Sequence, residues 1–148
     1  MKARIVAAVS AAALAAVAGY EGLRHRPYMD AVDVPTVCYG HTRNVEQRWY
    51  SREECNALLY ADLLVAGQGV TRHIRVPLSQ PTYDAFASFV YNVGEGAFAR
   101  STLVRKANSG DLAGACRELL RWVYAGNKKL PGLEARRKSE HALCVSGL

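Results

Sequence analysis

The sequence predicts a mainly helical α+β fold with a small N-terminal sheet, and three observations carry that reading. Pro, Gly, Asp and β-branched residues crowd the stretch from Pro27 to Trp49, apolar residues recur at helical spacing after residue 51, and an uncharged Ala-rich run precedes both. At 148 residues, 50% of them hydrophobic, the chain can bury one good core and is too short for two large ones. Residues 1–20 read as an apolar export helix and residues 21–148 as one domain.

Taken in order, the first element is the uncharged run from Ile5 to Tyr20, which comes after Lys2 and Arg4. A charged start, a short apolar run and the small-residue site Ala16-Val17-Ala18 fit an export signal. Spanning a bilayer takes about 20 predominantly apolar residues, and half of this run is Ala, so membrane insertion is marginal. Three readings stay open: a cleaved signal, a signal-anchor that later leaves the bilayer, and a helix that packs on the domain.

Short strands and turns are expected next, centred on Val32-Asp33-Val34-Pro35-Thr36-Val37. Ser51 with Glu54 can form a capping box ahead of Cys55, Leu58, Leu59 and Leu63, which share one helical face. Pro81 opens a helix carrying Phe86, Phe89, Val90 and Val93. Ser101 and Asp111 read as caps of two further helices, the second running to Trp122, and Leu133 to Val145 as the last. The loop from Gly126 to Gly132 reads as a solvated helix connection. A small sheet beside a helical lobe leaves a cleft between them, a place where extended substrates bind.

Lys and Arg number 19 against 13 Asp and Glu, a net charge of +6 that favours an anionic partner. The basic residues fall in scattered groups (Arg24, Arg26; Arg105, Lys106; Lys128, Lys129; Arg136, Arg137, Lys138) rather than along one face interleaved with aromatics. Wall polymer is therefore placed ahead of nucleic acid, and no nucleic-acid partner is expected. Cys38, Cys55, Cys116 and Cys144 allow two disulfides in one of three connectivities, or four buried thiols. Cys38 with His41 lacks two further ligands at zinc-site spacing, so neither a metal nor a cofactor is expected.

The chemistry concentrates after the apolar run. Glu21, eight residues, Asp30, five residues and Thr36 lead into Gly40-His41-Thr42. An acid at a helix end and an Asp on a subsequent turn can face each other across a gap, as glycoside hydrolysis requires: one carboxyl gives a proton to the leaving oxygen and the other orients water or attacks the anomeric carbon. Such carboxylate pairs also arise by chance as solvated surface acids.

The pattern resembles the catalytic segment of the T4-type lysozymes, glycoside hydrolase family 24. Phe89-Val90-Tyr91-Asn92-Val93-Gly94, Ser101-Thr102-Leu103, Arg121-Trp122 and Gly132-Leu133 ahead of Arg136-Arg137 are similar to further landmarks in the same order, so the likeness covers about residues 21 to 145. It is nearest to lambdoid endolysins with a signal-anchor-release helix. The resemblance implies a lysozyme-like fold, with the sheet lobe first and the helical lobe after it, and a muramidase acting on peptidoglycan. It implies Glu21 as general acid, Asp30 as second carboxylate and Thr36 as partner in holding the water, with inversion at the anomeric carbon.

By the same resemblance Thr42, Tyr91, Asn92 and Ser101 fall where the sugar chain is contacted, although each also suits a cap or a packing position. His41 suits a hydrogen-bonding residue of the cleft wall, Trp122 the core, and either Arg136 or Arg137 can present a guanidinium to Glu21. The expected setting is export to the host periplasm as a monomer, with transient inner-membrane contact through residues 5–20 and activation on release. Rival readings are a lytic transglycosylase, which needs no Asp30 or Thr36, a wall-binding module, which needs no Glu21, and a holin, which needs longer apolar spans.

Overall fold

The computed structural model describes residues 8–148, so Lys2, Arg4 and the first part of the apolar run lie outside the described residues. The rest of the run contains a helix, α1 (Ala11–Tyr20), capped by the Ser10 hydroxyl, which accepts the Ala13 N–H. Ala13 and Val17 are its buried residues. Its start is fixed by a buried carboxylate: Asp84 accepts the Ser10 N–H (3.0 Å), the Ser10 hydroxyl and the Gln80 side-chain amide (2.8 Å), while that amide also reaches the Ala8 carbonyl. Among the described residues no helix is long and apolar enough to cross a membrane.

Strands β1 (Arg24–Met29) and β2 (Pro35–Cys38) form an antiparallel hairpin in which Tyr28 faces Thr36 and Met29 faces Pro35. The turn between them takes in Val32, Asp33 and Val34, within the stretch where short strands and turns are expected. Asp30 Oδ1 accepts the N–H groups of Val32 and Val34 (both 2.9 Å), and Asp33 adopts φ 60°. A short side chain that gathers successive backbone donors outweighs β propensity at the tip.

Helix α2 (Arg52–His73) begins with the expected capping box, Ser51 with Glu54, and buries Cys55, Leu59, Leu63, Ala66 and Val70 on one face. A disulfide between Cys38 and Cys55 ties β2 to its first turn. Helix α3 (Gln80–Val93) is buried from Thr82 to Val90 and packs against α2 and against the last helix, α7 (Pro131–Ser146). Gly67 on α2 makes room for the Tyr83 phenol, which a Cβ there would strike. Between α3 and α7 run α4 (Glu95–Ala99), α5 (Thr102–Asn108), capped by Ser101, and α6 (Leu112–Glu118), capped by Asp111 and continued by a 3-10 turn to Arg121. Phe98 on α4 meets Phe86 and Phe89 at ring-centroid distances of 6.3 Å, and Trp122 stands edge-on to Phe89 at 5.1 Å. A second disulfide, Cys116–Cys144, joins α6 to α7. Of the three connectivities open in the sequence, this pairing is the one adopted.

The stretch expected to be a plain helix connection is a small hairpin, β3 (Tyr124–Ala125) with β4 (Lys128–Lys129), turning at Gly126 with φ 61°. A glycine at the first turn position permits the tight reversal that short hairpins use.

Two outcomes test this packing. Asp84→Ala should lower stability by about 1–3 kcal/mol, because the Ser10 N–H and hydroxyl lose a buried acceptor, and limited proteolysis should open the chain near α1; an unchanged urea midpoint would contradict that role. Replacing Cys116 and Cys144 together by Ser should cost about 3.5 kcal/mol in urea unfolding, the effect of releasing a loop that spans a sequence separation of 28.

Candidate active site

Glu21 is the residue on which α1 ends. It leaves helical geometry (φ −91°, ψ 128°) while its N–H still closes the last turn onto Val17. Its direction in space is therefore set by how α1 is docked. Arg136 on α7 donates from Nη1 to Glu21 Oε1 at 2.8 Å, which answers the choice between Arg136 and Arg137. Arg137 turns the other way, fully buried, its guanidinium 4.9 Å from the Phe89 ring centre.

Both arginines converge on Glu140. Its Oε2 accepts the Ser88 hydroxyl (2.6 Å) and Arg137 Nη2 (3.2 Å), and it lies 3.6 Å from Arg136 Nε. Arg137 Nε lies 2.6 Å from Oε1 but out of line for a hydrogen bond, so that contact is coulombic. Burial pushes the Glu140 carboxyl up and the Arg137 guanidinium down, while their mutual attraction opposes both shifts. A buried carboxylate between two guanidiniums is a charged scaffold under the site.

On the open side of Glu21 lies a cleft of about 330 Å³ lined by Gly40, Thr42, Asp62, Tyr91, Asn92 and Glu95 among others. Gly40 has φ 88°, and a Cβ added there would come 3.7 Å from Glu21 Oε2 and 3.5 Å from the Tyr91 hydroxyl. Those are ordinary contact distances, so what requires glycine here is the positive φ, a turn that other residues take only under strain. Tyr91 donates to the Tyr39 carbonyl, pinning the loop before Gly40. Its phenol is pushed up first by burial, then by the negative charges of Glu21 and Asp62, with Arg136 opposing, so it stays a donor.

His41 holds the cleft wall as expected: Nδ1 lies 2.8 Å from Asp62 Oδ2 and Nε2 lies 2.6 Å from the Arg43 carbonyl. Arg72, and less strongly His73, hold the Glu95 carboxyl down at about 2, so it is ionised at ordinary pH and paired with the Arg72 guanidinium.

The structure brings Glu21, Thr42, Tyr91 and Asn92 to one cleft. Asp30 and Thr36 stand on the neighbouring hairpin rather than in its lining. Asp30 is part-exposed with Oδ1 engaged in the turn, and Thr36 is buried with its hydroxyl donating to the Val34 carbonyl at 2.8 Å, so its oxygen remains an acceptor. Ser101 is not brought to the cleft. It is buried as the cap of α5, accepting from the Val104 N–H and donating to the Phe98 carbonyl, which is the other role open to it in the sequence. Sequence reasoning passed over Gly40 as a functional position, Asp62 and Glu95. Gly40 alone left a signal, in the Gly-His-Thr triplet.

Comparison with known proteins bears on this arrangement. The family model for phage lysozyme matches residues 18–140. The SAR-endolysin of Bacteriophage PS119 is 47% identical over 131 residues, covering 87% of this chain and 78% of the relative. Among solved structures, the muramidase domain of SpmX from Asticaccaulis excentricus superposes with a TM-score of 0.88 at 31% identity, covering 96% of this chain and 99% of that one. A mutant P22 lysozyme gives 0.85 at 32% identity, covering 95% and 99%. The chain belongs to the phage lysozyme family, and as an enzyme it is a lysozyme.

Proposed function

We propose that the chain lyses host cells by hydrolysing the β-1,4 bond between N-acetylmuramic acid and N-acetylglucosamine in peptidoglycan. The observation that carries this reading is Glu21 itself: one carboxyl oxygen held by Arg136, the other beside Gly40 on an open cleft. Once protonated, the carboxyl can keep Oε1 as the acceptor for Arg136 and carry its proton on Oε2, the oxygen near the cleft. That proton passes to the leaving N-acetylglucosamine oxygen as the glycosidic bond breaks. A water attacks the anomeric carbon from the opposite face and loses its proton to Asp30, whose Oδ1 is fixed by two backbone donors, with the Thr36 oxygen accepting from the same water. Configuration at the anomeric carbon inverts. Thr42, Tyr91 and Asn92 form the walls against which the glycan lies. A solved neighbour described as a muramidase domain supports the choice of bond.

Release from a membrane is the proposed control. The run ending in α1 leads into Glu21 without a linker, and relatives named SAR-endolysins support an export route that tethers the chain at the inner membrane and then frees it into the periplasm. With residues 5–20 in lipid, the Ser10–Asp84 contact and the Arg136–Glu21 contact are both unmade. On release α1 docks, and Glu21 reaches the cleft. The active unit is the monomer.

Two experiments test these steps. Glu21→Gln keeps size and hydrogen-bonding capacity but supplies no proton, and should slow clearing of purified walls by at least about 100-fold while wall sedimentation still carries the protein down; clearing within a few-fold of wild type would remove Glu21 as the acid. Ala11 and Ala15 are solvent-exposed on the docked helix, so Leu at both strengthens lipid partition without disturbing the core. That double variant should stay in the membrane pellet and delay lysis of expressing cells, and parental timing would rule out release as the controlling step.

A further inference from the structure

We propose that a groove running on from the catalytic cleft binds the stem peptide of the wall polymer, with Arg43 as the residue that reads its carboxylates. This rests on the peptidoglycan reading above. The groove, about 400 Å³, shares Arg43, Asp62 and Val65 with the cleft that holds Glu21, so the two form one continuous depression along α2. Its far end is walled by Tyr50, with the Arg48 guanidinium 3.8 Å from the ring centre.

Charge pairing sorts the cations along this depression. Arg48 is occupied twice over, by Glu46 at 2.8 Å and Glu54 at 2.7 Å. Arg72 is held in a two-pronged pair by Glu95. Arg136 is buried against Glu21. Arg43 differs: its side chain is 60% exposed, and among the described residues its one acidic partner is Asp62 at 3.4 Å, a carboxylate whose other oxygen is taken by His41. Most of the guanidinium's five N–H donors are therefore left without a protein partner among the described residues, on a side chain that lines both depressions.

The backbone beneath Arg43 is fixed, because its carbonyl is held by His41 Nε2 at 2.6 Å and the next residue, Asn44, adopts φ 49°. An exposed planar cation on a fixed base, at the junction of a glycan cleft and a polar side groove, suits a carboxylate on a branch of the glycan. In peptidoglycan those branches are the peptides carried by the muramic acid residues, whose free side-chain and terminal carboxylates are anionic at neutral pH.

Wild type, Arg43→Gln and Arg43→Lys are compared on intact sacculi and on glycan strands stripped of peptide by an amidase. Arg43→Gln should raise KM roughly fivefold on intact walls, the effect of losing one exposed charge-assisted contact, with kcat unchanged and no rise in KM on stripped strands. Arg43→Lys should recover part of the loss. Equal KM values for wild type and Arg43→Gln on intact walls, or the same rise on both substrates, would overturn the assignment. Sedimentation binding in a Glu21→Gln background, with and without Arg43→Gln, reads the same preference without bond cleavage. Peptide-dependent binding that vanishes with Arg43 would stand even if wild type released no sugar fragments, and that second result would count against the muramidase reading alone.

Discussion

The arrangement depends on a charge balance at the junction of α1, α3 and α7. Arg136 and Arg137 are both buried, and the scaffold beneath them contains one buried carboxylate, Glu140. The second negative charge comes from Glu21, at the end of a helix that must arrive from elsewhere in the chain. Arg136 stands 3.6 Å from Glu140 and takes its closer carboxylate contact, 2.8 Å, from Glu21; a buried guanidinium is costly unless well paired, so this contact helps hold α1 on the domain. The same contact leaves the other oxygen of Glu21 on the open cleft, so folding electrostatics and the proposed catalytic geometry meet in a single side chain.

Helix α1 is suited to this double duty because it is poor at any one task. Its Ala-rich surface gives little burial on the domain, Ala13 and Val17 being its deeply placed residues, and its attachment leans on polar contacts at its two ends, Ser10 with Asp84 and Glu21 with Arg136. Polar end-contacts are lost in lipid, whereas a Leu-rich run would hold the bilayer by burial alone. Marginal apolarity in the middle and specific polar groups at the ends are what the proposed release from lipid would require of this segment.

Much of this was legible in the sequence. Periodic apolar residues and the Ser51–Glu54 box located α2, and Ser101 and Asp111 marked their helix starts, because local capping chemistry survives in any tertiary setting. Glu21, Thr42, Tyr91 and Asn92 were found through a family pattern, and the structure brings them to one cleft. The features that stayed hidden depend on contacts distant in sequence: Asp84 meeting Ser10, Ser88 donating to Glu140, Asp62 behind His41. Within the expected strands and turns, the exact turn at Val32-Asp33-Val34 is set by the Asp30 carboxylate, which gathers backbone donors that a strand would pair across the hairpin. The β3–β4 hairpin escapes a sequence reading because two-residue strands leave no periodic signal.

The central claim is that Glu21 donates a proton while water, not a sugar hydroxyl, takes the anomeric carbon. Mass spectrometry of the soluble fragments released from purified peptidoglycan tests it most directly. Hydrated muropeptides with a reducing muramic acid end are the required product. Anhydro-muropeptides would contradict the account, since they form by internal attack with no role for a water held by Asp30 and Thr36.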